Sequence, residues 1–496
     1  MPQHPFGQRR TYYVNFASHL LNVYNPNMLY PELGLRWGDA EWCRLIDMTR
    51  AFGFTTFEFW LEPRLFCREG LEADYGKTFL KQLNAVTAHA RSQDMDVEMI
   101  AGLATVGSDW YTCCPNDPEE WAEVEHLWSS WLGRLPNVSI VGIFPGDPGA
   151  CARNGCTAMT FIDKSLEVAG IARRQLPKAE IELHTWGPPF FGWGLIEGPQ
   201  GGKGEFHAEL QGTAWRFDPA RSEKAMQHLL ERLPDFPEKT AVAINMGFNP
   251  DGEPAPGGDA ASDARAWAGE IAKTNRILTW DFSLTEGENA ILPHCRLREL
   301  YAKRRAEREA APYSGGICFT MTPLLSQLSA FAAARSFVRP DDQPGDVARS
   351  FLQGLFGTQG RALAEYLPLF EVVPDWGNHE RVELPLAEYH RSMRELLDLL
   401  SSLKATSSGP FHPEPEAYRK ELIFFARLFR DVSSPIPDYD ELRQRYWYHV
   451  YRIYDRLPAH VDPRPARATD GLVDLFRRWH EKPARPGTPP AGPPAS

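Results

Sequence analysis

Short apolar runs alternate along this chain with stretches of helical periodicity. The runs begin near Tyr12, Thr55, Val97, Ser139, Ile181, Ala241, Ile277 and Gly316. The first five recur roughly every 42 residues, the length of one strand, one helix and their loops. Val138 to Phe144 is almost wholly apolar, as a strand covered on both faces must be. The helical stretches carry their own punctuation. The first runs from about Gly38-Asp39 to Ala51, with Asp39 as its expected N-cap and Gly53 as the glycine that closes it. The second spans roughly Lys77 to Gln93, and the third starts after Asp117-Pro118, an N-cap followed by proline at the first helical position. Eight such units in succession predict an α/β fold, a (β/α)8 TIM barrel over residues 8–340.

After Arg339-Pro340 the pattern changes. Helical spacing takes over, as in Leu422, Phe425, Leu428 and Phe429, and predicts an all-α C-terminal domain over 341–481. Residues 482–496 are rich in Pro, Gly and Ala and read as a disordered tail.

Composition narrows the function classes. A length of 496 residues, 43% hydrophobic residues and 15 Trp suit a large packed barrel with a second domain. A net charge of -12 argues against a nucleic-acid partner and against an anionic membrane surface. No apolar run approaches the ~18 residues of a membrane span. Met1 to Arg10 has no apolar core of a signal peptide, so the expected compartment is the cytoplasm.

In this fold the chemistry sits where the strands end. Those ends carry Glu58 to Glu62, Gly146-Asp147-Pro148-Gly149, His184-Thr185-Trp186, and Trp280-Asp281-Phe282 leading into Glu286-Gly287-Glu288. Carboxylates among tryptophans fit a carbohydrate site. Asp147, in a glycine-flanked turn, is the candidate acid that protonates a leaving oxygen, and Glu286 or Glu288 the candidate base or nucleophile. The two glutamates flank Gly287, so an extended loop turns only one of them to the site. Asn15, His19, Glu58, Trp60, His184, Trp186, Asn245, Trp280 and Asp281 are candidates for substrate binding, the indoles by stacking on a sugar face. Each has a plainer reading. Asp147 as a turn residue bonds its own backbone; Glu58, between Phe57 and Phe59, is a structural acid that must be paired or neutral if it faces inward; His184 is a satisfied interior histidine.

Cys113-Cys114 follows the third strand, and Cys151 and Cys156 follow the fourth, so neighbouring loops would bring them close. Free thiols, a disulfide and a structural zinc site all remain open, because the spacing from Cys151 to Cys156 is looser than a usual zinc knuckle. The chain has neither G-x-x-x-x-G-K-[ST] nor H-E-x-x-H, and no strand-turn-helix G-x-S-x-G.

Three segments together resemble a group of glycoside hydrolases: Cys114-Pro115-Asn116-Asp117-Pro118, Gly146 to Cys151 with Cys156, and Trp280 through Glu286-Gly287-Glu288 to Pro293. They are similar to the barrels of α-glucuronidases and hexosaminidase-like families, and Phe351 to Gly357 is similar to the helix that succeeds those barrels. The resemblance covers residues 10 to 400 and implies hydrolysis of an O-glycosidic bond, with Asp147 at the acid position after strand four. The chain departs from the pattern at Pro148, where many such enzymes have a second acid, and this speaks against substrate-assisted cleavage of N-acetyl sugars. The expected function is therefore a glycosidase acting on a glycan or oligosaccharide with no cofactor and no catalytic metal. The alternatives are a metal-dependent sugar isomerase or epimerase, with Glu58, Asp147, His184 and Asp281 as ligands, and a barrel that only binds glycans.

Overall fold

The computed structural model describes residues 7–14, 38–63, 65–107, 111–145, 151, 153–185, 219–244, 266–281, 297–320, 327–370, 384–404, 415–442 and 444–445. Eight parallel strands form a closed barrel: β1 (Arg9–Val14), β2 (Thr56–Trp60), β3 (Asp96–Gly102), β4 (Ile140–Phe144), β5 (Glu180–His184), β6 (Thr240–Ile244), β7 (Arg276–Asp281) and β8 (Gly315–Thr320). Each pairs with its sequence neighbours, and β8 closes on β1 with Gly315 opposite Arg9. The predicted barrel is thus observed, with the register of every strand fixed by a parallel ladder.

Helices alternate with the strands in the same order: α1 (Asp39–Phe52), α2 (Asp74–Ser92), α3 (Pro118–Leu132), α4 (Ala158–Gln175), α5 (Pro219–Arg232), α6 (266–271), α7 (Leu297–Ala310) and α8 (Gln327–Val338). Their inward stripes fill the shell around the strands. On α1 that stripe is Trp42, Leu45, Ile46 and Thr49, the i, i+3, i+4, i+7 spacing of one helix face. Gly53 ends α1 in the left-handed region at φ 100°, as expected. The N-cap is Gly38 rather than Asp39. Asp39 is the first helical residue, and the Glu41 carboxylate accepts the Gly38 backbone N–H at 2.9 Å. Asp117 caps α3 as predicted, its Oδ1 accepting the N–H groups of Glu119 and Glu120.

The strand boundaries differ at one informative place. β1 begins at Arg9, three residues before the apolar run starts at Tyr12. Two arginines look like a polar leader, yet Arg9 is buried because it has carboxylates to meet inside the barrel.

Beyond α8 lie α9 (Pro344–Phe356), α10 (Leu386–Ser402) and α11 (Pro415–Val432). Phe351 of α9 sits edge-on to Phe52 of α1 at 6.0 Å and to Tyr418 of α11 at 6.3 Å, and 5.3 Å from Phe331 of α8. The C-terminal helices therefore share one apolar core with the shell of the barrel. No helix among the described residues is long and apolar enough to cross a membrane.

Candidate active site

Alternate residues of each strand face the barrel interior. On the C-terminal side those positions are Tyr13, Trp60, Ile100, Phe144, Trp280 and Phe319, all buried in one apolar cluster. Tyr13 stacks on Phe319 at 4.6 Å and meets Trp280 edge-on at 5.7 Å, while Trp60 meets Phe144 edge-on at 5.9 Å. Trp60 and Trp280 thus belong to a packed aromatic layer.

The N-terminal half of the interior is charged. Arg9 on β1 points among four carboxyls: its guanidinium pairs with Glu98 at 2.5 Å, with Glu182 at 2.6 Å and with Glu180 at 3.0 Å. Arg276 on β7 pairs with the other oxygen of Glu180. Glu58 completes the group from β2, fully buried, with neither carboxylate oxygen hydrogen-bonded among the described residues. Four carboxyls against two guanidiniums leave an excess of negative charge in a medium of low dielectric, which protonation relieves. Burial accordingly pushes the Glu58 carboxyl well above its ordinary range, helped by the charges of Glu98 and Glu182. Burial also raises Glu98 and Glu182 to about 7, against the pull of Arg9.

His184 ends β5 on the same side as Glu182 and Glu180. Its Nε2 lies 3.5 Å from Glu98 and 3.6 Å from Glu182, and its ring meets Trp280 edge-on at 4.8 Å. Burial lowers its pKa to about 4, so the imidazole is neutral at pH 7 although carboxyls surround it. Opposite, Gly142 leaves the space these groups occupy: a Cβ there would stand 2.9 Å from Glu98 Oε1 and 2.9 Å from His184 Nε2.

Among the sequence candidates, the structure therefore brings Glu58 and His184 together, inside the barrel, and puts Trp60 and Trp280 in the aromatic layer. Asp281 is the last residue of β7. Asp147, Glu286, Glu288, Asn15, His19, Trp186 and Asn245 lie outside the described residues. Their anchor points are described. In the sequence Asn15 directly succeeds β1, Asn245 directly succeeds β6, Trp186 comes two residues after β5 and Asp147 three residues after β4. Arg9, Glu98, Glu180 and Glu182 are interior groups that the apolar pattern does not single out. For Glu180 and Glu182 the signal lies in Glu180-x-Glu182-x-His184, a period-two row of ionisable groups in an otherwise apolar strand.

The expected closeness of the cysteines holds for three of the four. Cys114, Cys151 and Cys156 converge with their sulfurs within 4.8 Å of one another; Cys113 is buried beside them but not part of the group.

No family model matches the chain, and no curated protein matches it by sequence. Solved structures do match. An O-GlcNAc hydrolase of Thermobaculum terrenum superposes with a TM-score of 0.51 at 13% identity, covering 90% of this chain and 91% of its own. A GH138 enzyme targeting pectin rhamnogalacturonan II superposes with a TM-score of 0.53 at 10% identity, covering 90% of this chain and 60% of its own. At such identities the likeness is one of fold, and it extends over most of this chain.

Proposed function

We propose that this protein is a glycoside hydrolase that cleaves an O-glycosidic bond with two carboxylic acids and no cofactor. The observation that carries the reading is the closed eight-stranded parallel barrel, whose strands β1, β4, β5, β6 and β7 are each succeeded in the sequence, within one to seven residues, by polar and aromatic candidates; that is the end at which this fold does its chemistry. The likeness of fold to two carbohydrate-active enzymes supports it.

In this reading Asp147 protonates the leaving oxygen, and Glu286 or Glu288 activates water or attacks the anomeric carbon. Asn15, His19, Asn245, Trp186 and Asp281 shape the sugar site at the mouth. Trp60 and Trp280 form the floor of that site, which gives a sugar ring an apolar face to rest on. Glu58 and His184, both fully buried, act beneath that floor: they hold the interior arrangement on which the mouth is built.

The isomerase alternative takes Glu58 and His184 as metal ligands. Here those groups lie within reach of a cation the protein already supplies, Arg9, which occupies Glu98 and Glu182. That arrangement favours the glycosidase.

The test is hydrolysis of a panel of aryl glycosides and oligosaccharides by wild type and Asp147→Asn, each with and without EDTA. EDTA-resistant cleavage that falls at least about 100-fold in the variant is expected for an acid whose proton transfer contributes 10²–10⁴-fold. Binding of glycans without cleavage of any would overturn the proposal in favour of a lectin-like barrel.

A further inference from the structure

Cys114 belongs to the segment after β3, and Cys151 and Cys156 to the segment after β4. All three are buried. Cys114 Sγ lies 3.7 Å from Cys156 Sγ. That is far beyond the ~2.05 Å of a disulfide. It is the distance of a thiol–thiol contact, and it also matches two thiolates on one zinc ion, since four ligands at about 2.3 Å in a tetrahedron put neighbouring sulfurs about 3.8 Å apart. The third sulfur, Cys151, lies within 4.8 Å of both.

Three further features belong to the same arrangement. Asn154 and Gly155 adopt left-handed backbone, φ 51° and 74°, which folds 153–155 into a tight turn and brings Cys156 back beside Cys151. Asn154 Nδ2 donates to Cys114 Sγ at 3.5 Å, a contact that favours a sulfur carrying negative charge. The two segments are tied together independently of the sulfurs. Asn116 Nδ2 donates to Asn154 O at 3.0 Å, and Arg153 binds both Glu120 oxygens at 3.0 and 2.8 Å and the Thr112 carbonyl at 2.7 Å. Glu120 accepts the backbone N–H of Cys114 as well. The scaffold thus holds three soft ligands at a fixed spacing, and the neighbouring cation, Arg153, is turned to Glu120.

We propose that Cys114, Cys151 and Cys156 bind one Zn2+ as a structural site that clamps the segment after β4 to the segment after β3. The fourth position is taken by water or by a further protein donor. The clamp closes at Cys151, four residues after Asp147 in the sequence, so it ties the chain close to the proposed acid. The site is structural, and it stands whether or not the chain cleaves glycans.

The experiment uses the full untagged chain, purified reduced after growth with zinc, and measures bound metal by plasma mass spectrometry. About one zinc per chain is expected, falling at least tenfold in Cys156→Ser and unchanged in Cys43→Ser, a half-buried thiol on α1. Because a cysteine variant can fail to fold, wild type is also stripped with chelator and given Co2+ alone. A near-ultraviolet thiolate-to-cobalt charge-transfer band that Zn2+ displaces supports the site. Reduced wild type that carries no stoichiometric zinc and shows no such band overturns it, as does a Cys114–Cys156 disulfide in peptides mapped from the native chain.

Discussion

Two buried groups of ligand-type side chains stand out among the described residues, Glu58–Glu98–His184 inside the barrel and Cys114–Cys151–Cys156 outside it, each with its atoms within 4.8 Å. They look alike as sets of ligand atoms and differ as chemistry. The first has a cation built in, since the Arg9 guanidinium pairs with Glu98 and Glu182, and its excess charge is removed by protons on raised carboxyls. The second has three soft sulfurs spaced for a metal, and its neighbouring arginine is committed to Glu120. Proximity of ligand atoms is therefore a weak signal; what neutralises their charge separates a scaffold from a metal site.

The comparison breaks most sharply at Arg9. Arg9→Met leaves Glu98, Glu180 and Glu182 without their shared cation, and removing one partner from a buried ion pair costs about 3–5 kcal/mol. Urea denaturation should show a loss of that size or a chain that does not fold; an unchanged midpoint would mean that the interior carboxyls are neutral without Arg9. Removing zinc from the cysteine group should cost a similar amount, about 4 kcal/mol if the metal stands at a thousandfold its Kd, read as a lower Tm in chelator that Zn2+ restores. Chelator should leave an Arg9-dependent interior untouched.

Gly142→Ala sharpens the geometry. Its Cβ would press on Glu98 and His184, and overpacking of this kind costs about 1–3 kcal/mol. The smallest effect is expected from Glu58→Gln, and it lies in the pH dependence. Glu98 and Glu182 have folded pKa values of about 7, above their ordinary 4.5, so their contribution is full below 4.5 and is lost as pH rises through 7. Glu58 behaves in the same direction. His184, lowered from 6.5 to about 4, contributes above 6.5 and loses that contribution as pH falls through 4. Three carboxyls outweigh one histidine, so stability should fall between pH 4.5 and 7. Glu58→Gln removes one of the falling contributions and should flatten the curve, as urea midpoints across that range would show. A steeper curve would contradict the assignment of Glu58 as a neutral buried acid.

Most of the barrel was legible in the chain because strands covered on both faces are written as apolar runs, of which β4 is the clearest. The same code hid the start of β1, since Arg9 is interior for an electrostatic reason that no apolar pattern records. Glu98 was invisible for that reason too, and Glu182 showed only in the row Glu180-x-Glu182-x-His184. An acid within a strand shows its partner only when the barrel closes and brings β1, β3 and β5 round a common axis. The cysteine cluster was half legible: adjacent loops are a consequence of the fold, but the turn that returns Cys156 to Cys151 depends on Asn154 in a left-handed conformation, which a sequence merely permits. At the mouth, the anchor points of Asp147, Trp186 and Asn245 are set by the strand ends, and there the strand pattern and the observed topology agree.

The central claim is that catalysis takes place at the mouth and that the acids beneath the aromatic layer only support it. The most direct measurement is kcat/KM of Asp147→Asn and Glu58→Gln side by side, on whichever glycoside wild type cleaves. The account predicts a fall of at least about 100-fold for Asp147→Asn and a change within about threefold for Glu58→Gln at pH 7. An equal collapse in Glu58→Gln with its fold intact, or full activity in Asp147→Asn, would move the chemistry into the barrel interior and contradict it.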